Sequence, residues 1–300
     1  MPFPYRDETK ELNDAVRASL PDAFVRLADG VTHYELGGPE SGQPVVLVHG
    51  FSVPYFIWDP TFAALTSAGF RVLRYDLYGR GLSDRPRTSY DMDLFVRQLH
   101  DLLDAHHLRQ VNIIGLSMGG AIASAFTVRF PERVCRLALI DPVGKQGMPL
   151  SWLYKAAFLP GISELILGLA GTEKMVKGIA SDFFVPEHIT IFQDKYRAQM
   201  QYRGFKRAIL STLRNKMVGG HANIYDQLGK LSKPVLLLWG RNDGTLPFDH
   251  SQDIIAAVPG IEFHPIENSG HIPHFEKPEI VNPILINFLI KNDAKTPAFL

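Results

Sequence analysis

The sequence contains very little cysteine and no net charge. One of its 300 residues is a cysteine, so an internal disulfide is impossible, and Cys135 lies in an apolar run typical of a core strand. Lysine plus arginine and aspartate plus glutamate each number 31, which gives a formal charge of +0. Because the chain has neither a basic field nor a basic block to attract phosphates, we expect no nucleic acid partner.

Long uninterrupted apolar segments are also absent. The first residues include acidic side chains and no apolar core of the kind found in secretory signals, so we expect a cytoplasmic protein. The most apolar stretch, residues 150–170, is interrupted by Lys155, Pro160 and Glu164, which argues against stable membrane insertion. A hydrophobic content of 46% is nevertheless enough for a large buried core, which indicates a globular protein.

The chain is rich in short runs of Val, Ile and Leu that alternate with segments of helical period. This alternation predicts an α/β fold, in which a mostly parallel twisted sheet carries helices on both faces. Residues 23–27 and 31–36 flank a turn at Asp29 and Gly30 and read as an antiparallel hairpin at the start of the sheet. The other predicted elements are strands at 44–49, 70–75, 111–116, 134–140, 234–239 and 261–266 and helices at 60–68, 92–107, 119–130, 251–258 and 280–290.

The alternation fails over residues 143–222, where helical-looking pieces are separated by prolines and glycines. We therefore predict a core domain built from residues 1–142 and 223–300 and an inserted helical cap, or lid, at residues 143–222. The cap contains a strongly apolar stretch, and most of it is expected to pack the cap onto the core. We expect Trp152, Phe158 and Leu159 to contact the apolar part of a substrate.

A first chemical signal follows the predicted strand 111–116. Gly115, Ser117 and Gly119 form a G-x-S-x-G pattern in a strand-then-helix context, where a tight turn lifts the serine hydroxyl above the carboxyl ends of the strands. The flanking positions must be small because the chain doubles back on itself. Ser117 is thus a candidate nucleophile, although an isolated match is also compatible with a helix-capping serine.

A second signal is the loop that begins at His49, directly after a buried strand. Acyl transfer develops negative charge on the substrate oxygen, and two backbone amides are an economical way to stabilise it. The amides of Phe51 and Met118 are the predicted pair, with Met118 at the start of the helix after the serine. We interpret His49 itself as a structural histidine that holds this loop.

Two further loops leave the same edge of the predicted sheet. Asp243 follows the strand 234–239 in a glycine-flanked turn, and His271 follows the strand 261–266. A serine hydroxyl needs a base, and an imidazole base needs a carboxylate that fixes its tautomer. The order Ser117, Asp243, His271 is the order that this architecture predicts. Asp141, at the end of the strand 134–140, is the alternative acid, and His274 is the alternative base.

Together these features identify the chain as resembling the α/β-hydrolase superfamily with a helical cap, over roughly residues 24–290. Residues 75–84 add a segment similar to the D-x-x-G-x-G-x-S loop of that family, which we interpret as structural. The resemblance implies a nucleophile at Ser117, an acid at Asp243, a base at His271 and oxyanion donors at Phe51 and Met118. We expect no metal and no organic cofactor, because the spacing of Cys, His and Asp along the chain gives no metal-ligand pattern.

Within the superfamily, the chain most resembles capped serine carboxylesterases and monoacylglycerol lipase-like hydrolases. We therefore expect hydrolysis of small to medium lipophilic carboxylic esters through an acyl-enzyme. Carbon-carbon bond hydrolases of ring-cleavage products are an alternative with a similar G-x-S-M-G-G elbow, but they usually have Asn before the serine and Trp after the histidine, where this chain has Leu116 and Ile272. The same motifs are also compatible with a cofactor-free perhydrolase and with a ligand receptor on the same fold.

Overall fold

The computed structural model describes residue 5, residues 7–149 and residues 161–291. Its centre is an eight-stranded sheet in the order β1-β2-β4-β3-β5-β6-β7-β8. The strands are β1 Ala23–Leu27, β2 Gly30–Gly37, β3 Pro44–Val48, β4 Arg71–Tyr75, β5 Val111–Leu116, β6 Val134–Ile140, β7 Val235–Gly240 and β8 Glu262–Ile266. The predicted fold class is confirmed, and each strand lies within a residue or so of its predicted bounds.

Most of the sheet is parallel, and only its beginning is antiparallel. β1 pairs with β2 across the turn predicted at Asp29 and Gly30, and β2 pairs antiparallel with β4. From β4 through β3, β5, β6 and β7 to β8 all neighbours run parallel. The carboxyl ends of these strands therefore meet at one edge, where the loops after β3, β5, β7 and β8 come together.

The helices cover both faces of the sheet. In chain order they are α1 Asp14–Ala18, α2 Asp59–Ser67, α3 Met92–Ala105, α4 Met118–Arg129, α5 Ile162–Gly178, α6 Ile189–Met200, α7 Phe205–Arg214, α8 Ala222–Leu228, α9 His250–Ala257, α10 Pro273–Glu276 and α11 Pro278–Ile290. Short 3-10 helices occur at Tyr55–Trp58, Pro131–Arg133, Ile179–Asp182 and Pro186–His188. The short helices α1 and α10 were not predicted from the sequence, because a helix of four or five residues is too short to show a periodic pattern.

The core lies on both faces of the central strands. Successive residues of a strand point to opposite faces, so Val46 and Val48 pack with α3 and α4, whereas Val45 and Leu47 pack on the side of α2 and α11. β5, β6 and β7 are buried along their whole length, as expected of strands covered on both faces. Cys135 is buried on β6, and burial raises the pKa of its thiol, in agreement with a core-filling role.

The long segment between β6 and β7 contributes no strand to the sheet among its described residues and contains α5 to α8. Its assignment as an inserted cap, with a core of residues 1–142 and 223–300, stays a prediction. Trp152, Phe158 and Leu159 lie outside the described residues, so their predicted substrate contacts also stay predictions. None of the helices in residues 7–149 and 161–291 combines the length and apolar composition needed to cross a bilayer.

Candidate active site

Ser117 occupies a strained turn between β5 and α4. Its backbone has φ 54° and ψ −122°, in a region that residues other than glycine rarely adopt. A Cβ on Gly115 would lie 2.6 Å from the carbonyl oxygen of Gly119, and a Cβ on Gly119 would lie 2.2 Å from that of Val48. Both positions therefore exclude any side chain, as the sequence pattern predicted. The tight turn holds Ser117 at the carboxyl edge of the sheet, beside the loop that follows β3.

The loop after β3 is held in place by His49. Its Nε2 accepts the amide of Leu77 at 2.9 Å, so the proton lies on Nδ1, which donates to the carbonyl of Gly50 at 2.9 Å. Complete burial lowers the pKa of His49 to about 4, which keeps this neutral form. These contacts agree with the structural interpretation of His49 and place it outside proton transfer.

The two predicted oxyanion donors have amides without another described partner. Neither the amide of Phe51 nor that of Met118 donates a hydrogen bond to a group within the described ranges. Phe51 lines the cavity next to Ser117, whereas Met118 is buried as the first residue of α4 and does not belong to the described cavity lining. Two amides that lack a partner among the described residues can bind an oxyanion, and this role stays a prediction.

Asp243 and His271 are in direct contact. The Nδ1 of His271 lies 2.7 Å from Oδ2 of Asp243, and both side chains are almost completely buried. The other carboxylate oxygen of Asp243 accepts the amides of Thr245 at 2.7 Å and Leu246 at 2.8 Å. Asp243 thus forms the Asx turn of its own loop with one oxygen and orients His271 with the other.

The alternative acid and the alternative base have different surroundings. The carboxyl group of Asp141 lies close to Asp243 and accepts the amide of Gly240 at 2.9 Å. His274 is completely buried, with its ring centroid 4.4 Å from that of Trp58, and burial lowers its pKa to about 3. Such a histidine remains neutral within the core. The structure therefore brings His271, not His274, into contact with Asp243.

The charge state of His271 reflects opposing influences. Burial by itself lowers the pKa of the imidazole, but the adjacent carboxylate of Asp243, with its hydrogen bond, raises it, and Asp182 raises it further. The outcome is a pKa above the ordinary value, because the two carboxylates outweigh burial. An imidazole stabilised in this way can receive the hydroxyl proton of a serine.

Ser117 and His271 open into one cavity of about 170 Å³. Ligand pockets commonly enclose about 300–1,000 Å³, so this cavity suits a compact group. Much of its described lining is apolar: Phe51, Val53, Ile57, Leu116, Met148, Met175, Ile179 and Ile272. The polar lining consists of Ser52, Ser117, Ser181, Asp182, Tyr196, Thr245 and His271, and glycines complete it. Asp182 is the one acidic residue of the described lining, which has no lysine or arginine.

Asp182 was not predicted from the sequence. It ends a 3-10 helix, Ile179–Asp182, its carbonyl accepts the amide of His271 at 2.9 Å, and one carboxylate oxygen accepts the hydroxyl of Thr245 at 2.6 Å. Burial raises the pKa of Asp182, and the neighbouring His271 opposes that shift. No local pattern marks this residue, because its position depends on contacts between segments far apart in the chain.

Two other unpredicted side chains connect the segment between β6 and β7 with the site loops. Gln199 of α6 donates to the carbonyl of Ser52 at 2.8 Å and accepts the amide of Gly81 at 2.9 Å. Glu276 accepts the amides of Phe184, Val185 and Gly270, at 2.7, 2.8 and 2.6 Å. Because Gly270 precedes His271, these hydrogen bonds to Glu276 fix the loop that carries His271 relative to α10 and to the segment that precedes α6.

Asp141, Asp243 and His271 form one buried cluster, in which polar atoms of the three side chains all lie within 4.8 Å of one another. Their wide separation along the chain gives no sign of this arrangement. His271 is hydrogen-bonded to Asp243, and Asp141 accepts a hydrogen bond from the backbone of β7. These contacts hold the three side chains together at the candidate site. The expectation of no metal and no organic cofactor stays a prediction.

A sequence model of the alpha/beta hydrolase family matches residues 45–284. The chain belongs to the alpha/beta hydrolase family. This membership confirms the family and the fold predicted from the elbow and its partner loops. The match includes β3 through most of α11 and therefore spans every strand that contributes a loop to the candidate site.

Curated relatives of this alpha/beta hydrolase align along most of its length. A 2-hydroxy-6-oxononadienedioate/2-hydroxy-6-oxononatrienedioate hydrolase of Cupriavidus pinatubonensis is 29% identical over 287 residues, which cover 92% of this chain and 97% of the relative. An uncharacterised protein of Mycobacterium tuberculosis is 28% identical over 282 residues, which cover 86% of this chain and 77% of that protein.

Solved structures of similar fold include two enzymes with different names. The enol-lactonase of Burkholderia xenovorans superposes with a TM-score of 0.77 at 20% identity, covering 90% of this chain and 100% of its own. A 2-hydroxy-6-oxo-6-phenylhexa-2,4-dienoate hydrolase of Rhodococcus sp. superposes with a TM-score of 0.77 at 20% identity, covering 90% and 98%. At such identities the likeness establishes the fold alone.

Proposed function

We propose that this protein is a serine hydrolase that forms an acyl-enzyme on Ser117. The observation that carries the proposal is the 2.7 Å contact between His271 and Asp243, at the cavity that also contains Ser117 in its strained turn. In this mechanism His271 accepts the proton of Ser117 as the serine oxygen attacks a carbonyl carbon. The amides of Phe51 and Met118 bind the oxyanion that forms.

The second half of the reaction repeats these steps with water. When the tetrahedral intermediate collapses, the bond to the leaving group breaks and His271 returns its proton to that group. Water then attacks the acyl-enzyme while His271 again accepts a proton, and the acid is released as Ser117 regains its hydroxyl hydrogen. These steps need no oxidant or reductant, and they are the same whether the leaving atom is carbon or oxygen.

Hydrolysis of a carbon-carbon bond is the first candidate reaction. It is supported by the relatives at 28–29% identity that are named as hydrolases of 2-hydroxy-6-oxononadienedioate, since they align along nearly the whole chain. This support favours carbon-carbon cleavage over the ester hydrolysis expected from the sequence. The substrate must first shift its hydroxyl proton to the departing carbon and so pass from the 2-hydroxy-diene to the 2-oxo form. The leaving group is then a carbanion stabilised by the 2-oxo group, and it receives the proton from His271.

Ester hydrolysis is the second candidate, and the cavity lining favours it. Leu116 and Ile272 stand where carbon-carbon hydrolases usually have Asn and Trp, and both residues line the cavity. A dioate substrate carries two carboxylates, which would have to enter a cavity whose described lining contains Asp182 and neither lysine nor arginine. A compact neutral ester meets no such electrostatic cost.

The experiment compares the two substrate classes on one protein. The wild type is incubated with a 2-hydroxy-6-oxo-dienoate ring-cleavage product and with p-nitrophenyl esters of graded chain length, and a fluorophosphonate probe tests covalent labelling of Ser117. We expect turnover in at least one class, labelling of the wild type, and loss of both in Ser117→Ala, by about 10⁴-fold or more in rate.

Ser124 provides a matched control, because it is a buried serine of α4 away from the elbow. Ser124→Ala is expected to keep labelling and turnover near those of the wild type. Absence of labelling and of turnover in the wild type would support a ligand receptor instead. Turnover that survives in Ser117→Ala at the wild-type rate would contradict the proposed nucleophile.

A further inference from the structure

Asp141 brings a second carboxyl group to the acid of the candidate site. It directly follows β6, is completely buried, and has φ 40°, a left-handed conformation that aspartate tolerates better than most residues. Its amide donates to the carbonyl of Leu238 at 3.0 Å, and its Oδ1 accepts the amide of Gly240 at 2.9 Å. Both contacts lie on β7 and fix the carboxyl group beneath the loop that carries Asp243.

The other oxygen of Asp141 has no described partner. Its Oδ2 is inaccessible to solvent and receives no hydrogen bond, whereas both oxygens of Asp243 are engaged, with two backbone amides and His271. Two ionised carboxylates this close, in a buried site with one imidazole, would repel each other strongly. An orphaned buried oxygen also carries a desolvation cost.

A single proton removes both difficulties. We propose that Asp141 is a neutral carboxylic acid whose hydroxyl group donates a hydrogen bond to the carboxylate of Asp243, and that it thereby acts as a positioning residue for the Asp243–His271 pair. The catalytic part of this inference rests on the proposed function, but the protonation of Asp141 does not. The donor is the otherwise unpaired Oδ2, and the acceptor is the adjacent carboxylate.

The surrounding charges support this protonation state. The titratable groups of the cluster and those that act on it are Asp243, His271, Asp182 of the cavity wall, and His274 and Glu276 of α10. Burial and the negative charge of Asp243 raise the pKa of Asp141 well above its ordinary value, and Glu276 acts in the same direction. Among the described residues no lysine or arginine acts on the pKa of Asp141, and the hydrogen bond from the amide of Gly240, which opposes the rise, does not outweigh burial and Asp243.

The hydrogen bond from Asp141 has a consequence for His271. A carboxylate that already accepts a hydrogen bond is a weaker acceptor, so Asp243 stabilises the imidazolium form of His271 less than an unshared carboxylate would. His271 therefore loses its proton at a lower pH, and the free base is available over a wider range. Asp141 adjusts the basicity of His271 through Asp243, without touching the substrate.

The direct test observes the carboxyl carbon of Asp141. The protein is labelled with [γ-¹³C]aspartate, and the resonance that disappears in Asp141→Asn is assigned to Asp141. We expect this resonance to lie at the position of a protonated carboxyl near neutral pH, where an ordinary aspartate is ionised. A resonance at the ionised position near neutral pH would overturn the proposal. This measurement needs no substrate, so its failure is separate from failure of the proposed function.

The second test follows the titration of His271 by NMR of ¹³C-labelled histidine in the wild type, Asp141→Asn and Asp141→Gly. Asp141→Asn keeps an acceptor for Gly240 and a neutral donor for Asp243, and asparagine tolerates a positive φ. Its His271 should titrate within about 0.3 pH units of the wild type. Asp141→Gly tolerates the same φ but lacks the donor, so its His271 should titrate about half a unit or more higher.

A downward shift of the His271 titration in Asp141→Asn would show that a negative charge had been removed, and it would overturn the proposal. Unchanged titration in both Asp141→Asn and Asp141→Gly would overturn the positioning role. If the protein turns over a ring-cleavage product or an ester, the pH dependence of kcat/KM can be measured. The acidic limb of that pH profile must move with the titration of His271 in each variant. A limb that moves independently of His271 would contradict the link to catalysis.

Discussion

The guanidinium of Arg80 donates its Nε–H to the carbonyl oxygen of Phe51 over 2.8 Å. Its other two nitrogens donate to the carbonyl of Tyr78 at 3.0 Å and the hydroxyl of Thr212 on α7 at 2.9 Å. All three acceptors are neutral, and burial lowers the pKa of Arg80 to about 10, at which it still remains charged near neutral pH. One buried cation thus ties α7 to the loop whose amide is predicted to bind the oxyanion.

Arg80→Lys tests this connection. A lysine has one donor group in place of a rigid fork, so it cannot satisfy all three acceptors at once. We expect kcat to fall about tenfold or more while KM changes less, because the amide of Phe51 is displaced from the developing oxyanion. Arg85→Lys is the matched control, since Arg85 donates to carbonyls of Ser83 and Gly81 and not to Phe51. Equal losses in the two variants would refute a specific role for Arg80.

Asp243→Asn tests the orientation of His271. The carbonyl oxygen of asparagine can still accept the amides of Thr245 and Leu246, which leaves its NH₂ group facing Nδ1 of His271. Nδ1 must then accept, the proton moves to Nε2, and His271 can no longer take the proton of Ser117. We expect turnover to fall about 10⁴-fold with little loss of stability. A fall of less than tenfold, measured in single-turnover assays, would mean that another carboxylate supports His271.

Asp182→Asn tests the charge preference of the cavity. The assays use a choline ester, its uncharged 3,3-dimethylbutyl isostere and a half-ester of a dicarboxylic acid. Removing the carboxylate should lower kcat/KM for the cationic ester relative to the neutral one by about tenfold, and raise it for the anionic ester. Glu267→Gln, at an exposed ion pair with Arg241, is the control for a general change in charge. Unchanged ratios across the three esters would place Asp182 outside substrate recognition.

His274→Phe tests the cost of a buried neutral histidine in acid. Burial lowers the pKa of His274 to about 3, so the folded protein keeps this ring neutral while the unfolded chain binds a proton below about pH 6.5. The stability that depends on the neutral ring is complete above about pH 6.5 and is lost as the pH falls toward 3. Between about pH 6.5 and about pH 5 the wild type should lose about 2 kcal/mol by this route.

Phenylalanine keeps an aromatic ring against Trp58 and cannot be protonated. The variant should therefore be less acid-sensitive than the wild type by about the same 2 kcal/mol, as measured by urea unfolding near pH 7 and near pH 5. His49 titrates in both proteins and does not affect the difference. Parallel losses of unfolding free energy in the two proteins would contradict a neutral His274 in the folded state.

The sequence by itself determined the order of the strands along the chain, the strained turn at Ser117, and the loops that carry Asp243 and His271. These features are local: a buried strand needs a run of apolar residues, and a turn without space for a Cβ needs glycine at fixed positions. Because all parallel strands end at one edge of the sheet, local patterns were enough to predict that these loops would meet.

Only the tertiary structure decided what surrounds those residues. Asp141 lies beside Asp243 because β6 and β7 are neighbours in the sheet, and Asp182 reaches the cavity because its segment folds back over the edge of the strands. Arg80 and Gln199 likewise form hydrogen bonds with residues that lie more than a hundred positions away in the sequence. Such contacts depend on burial and distance between remote segments, which no periodicity or spacing along the chain encodes. The candidate nucleophile was therefore predictable from local pattern, whereas the charge balance around its proposed base was not.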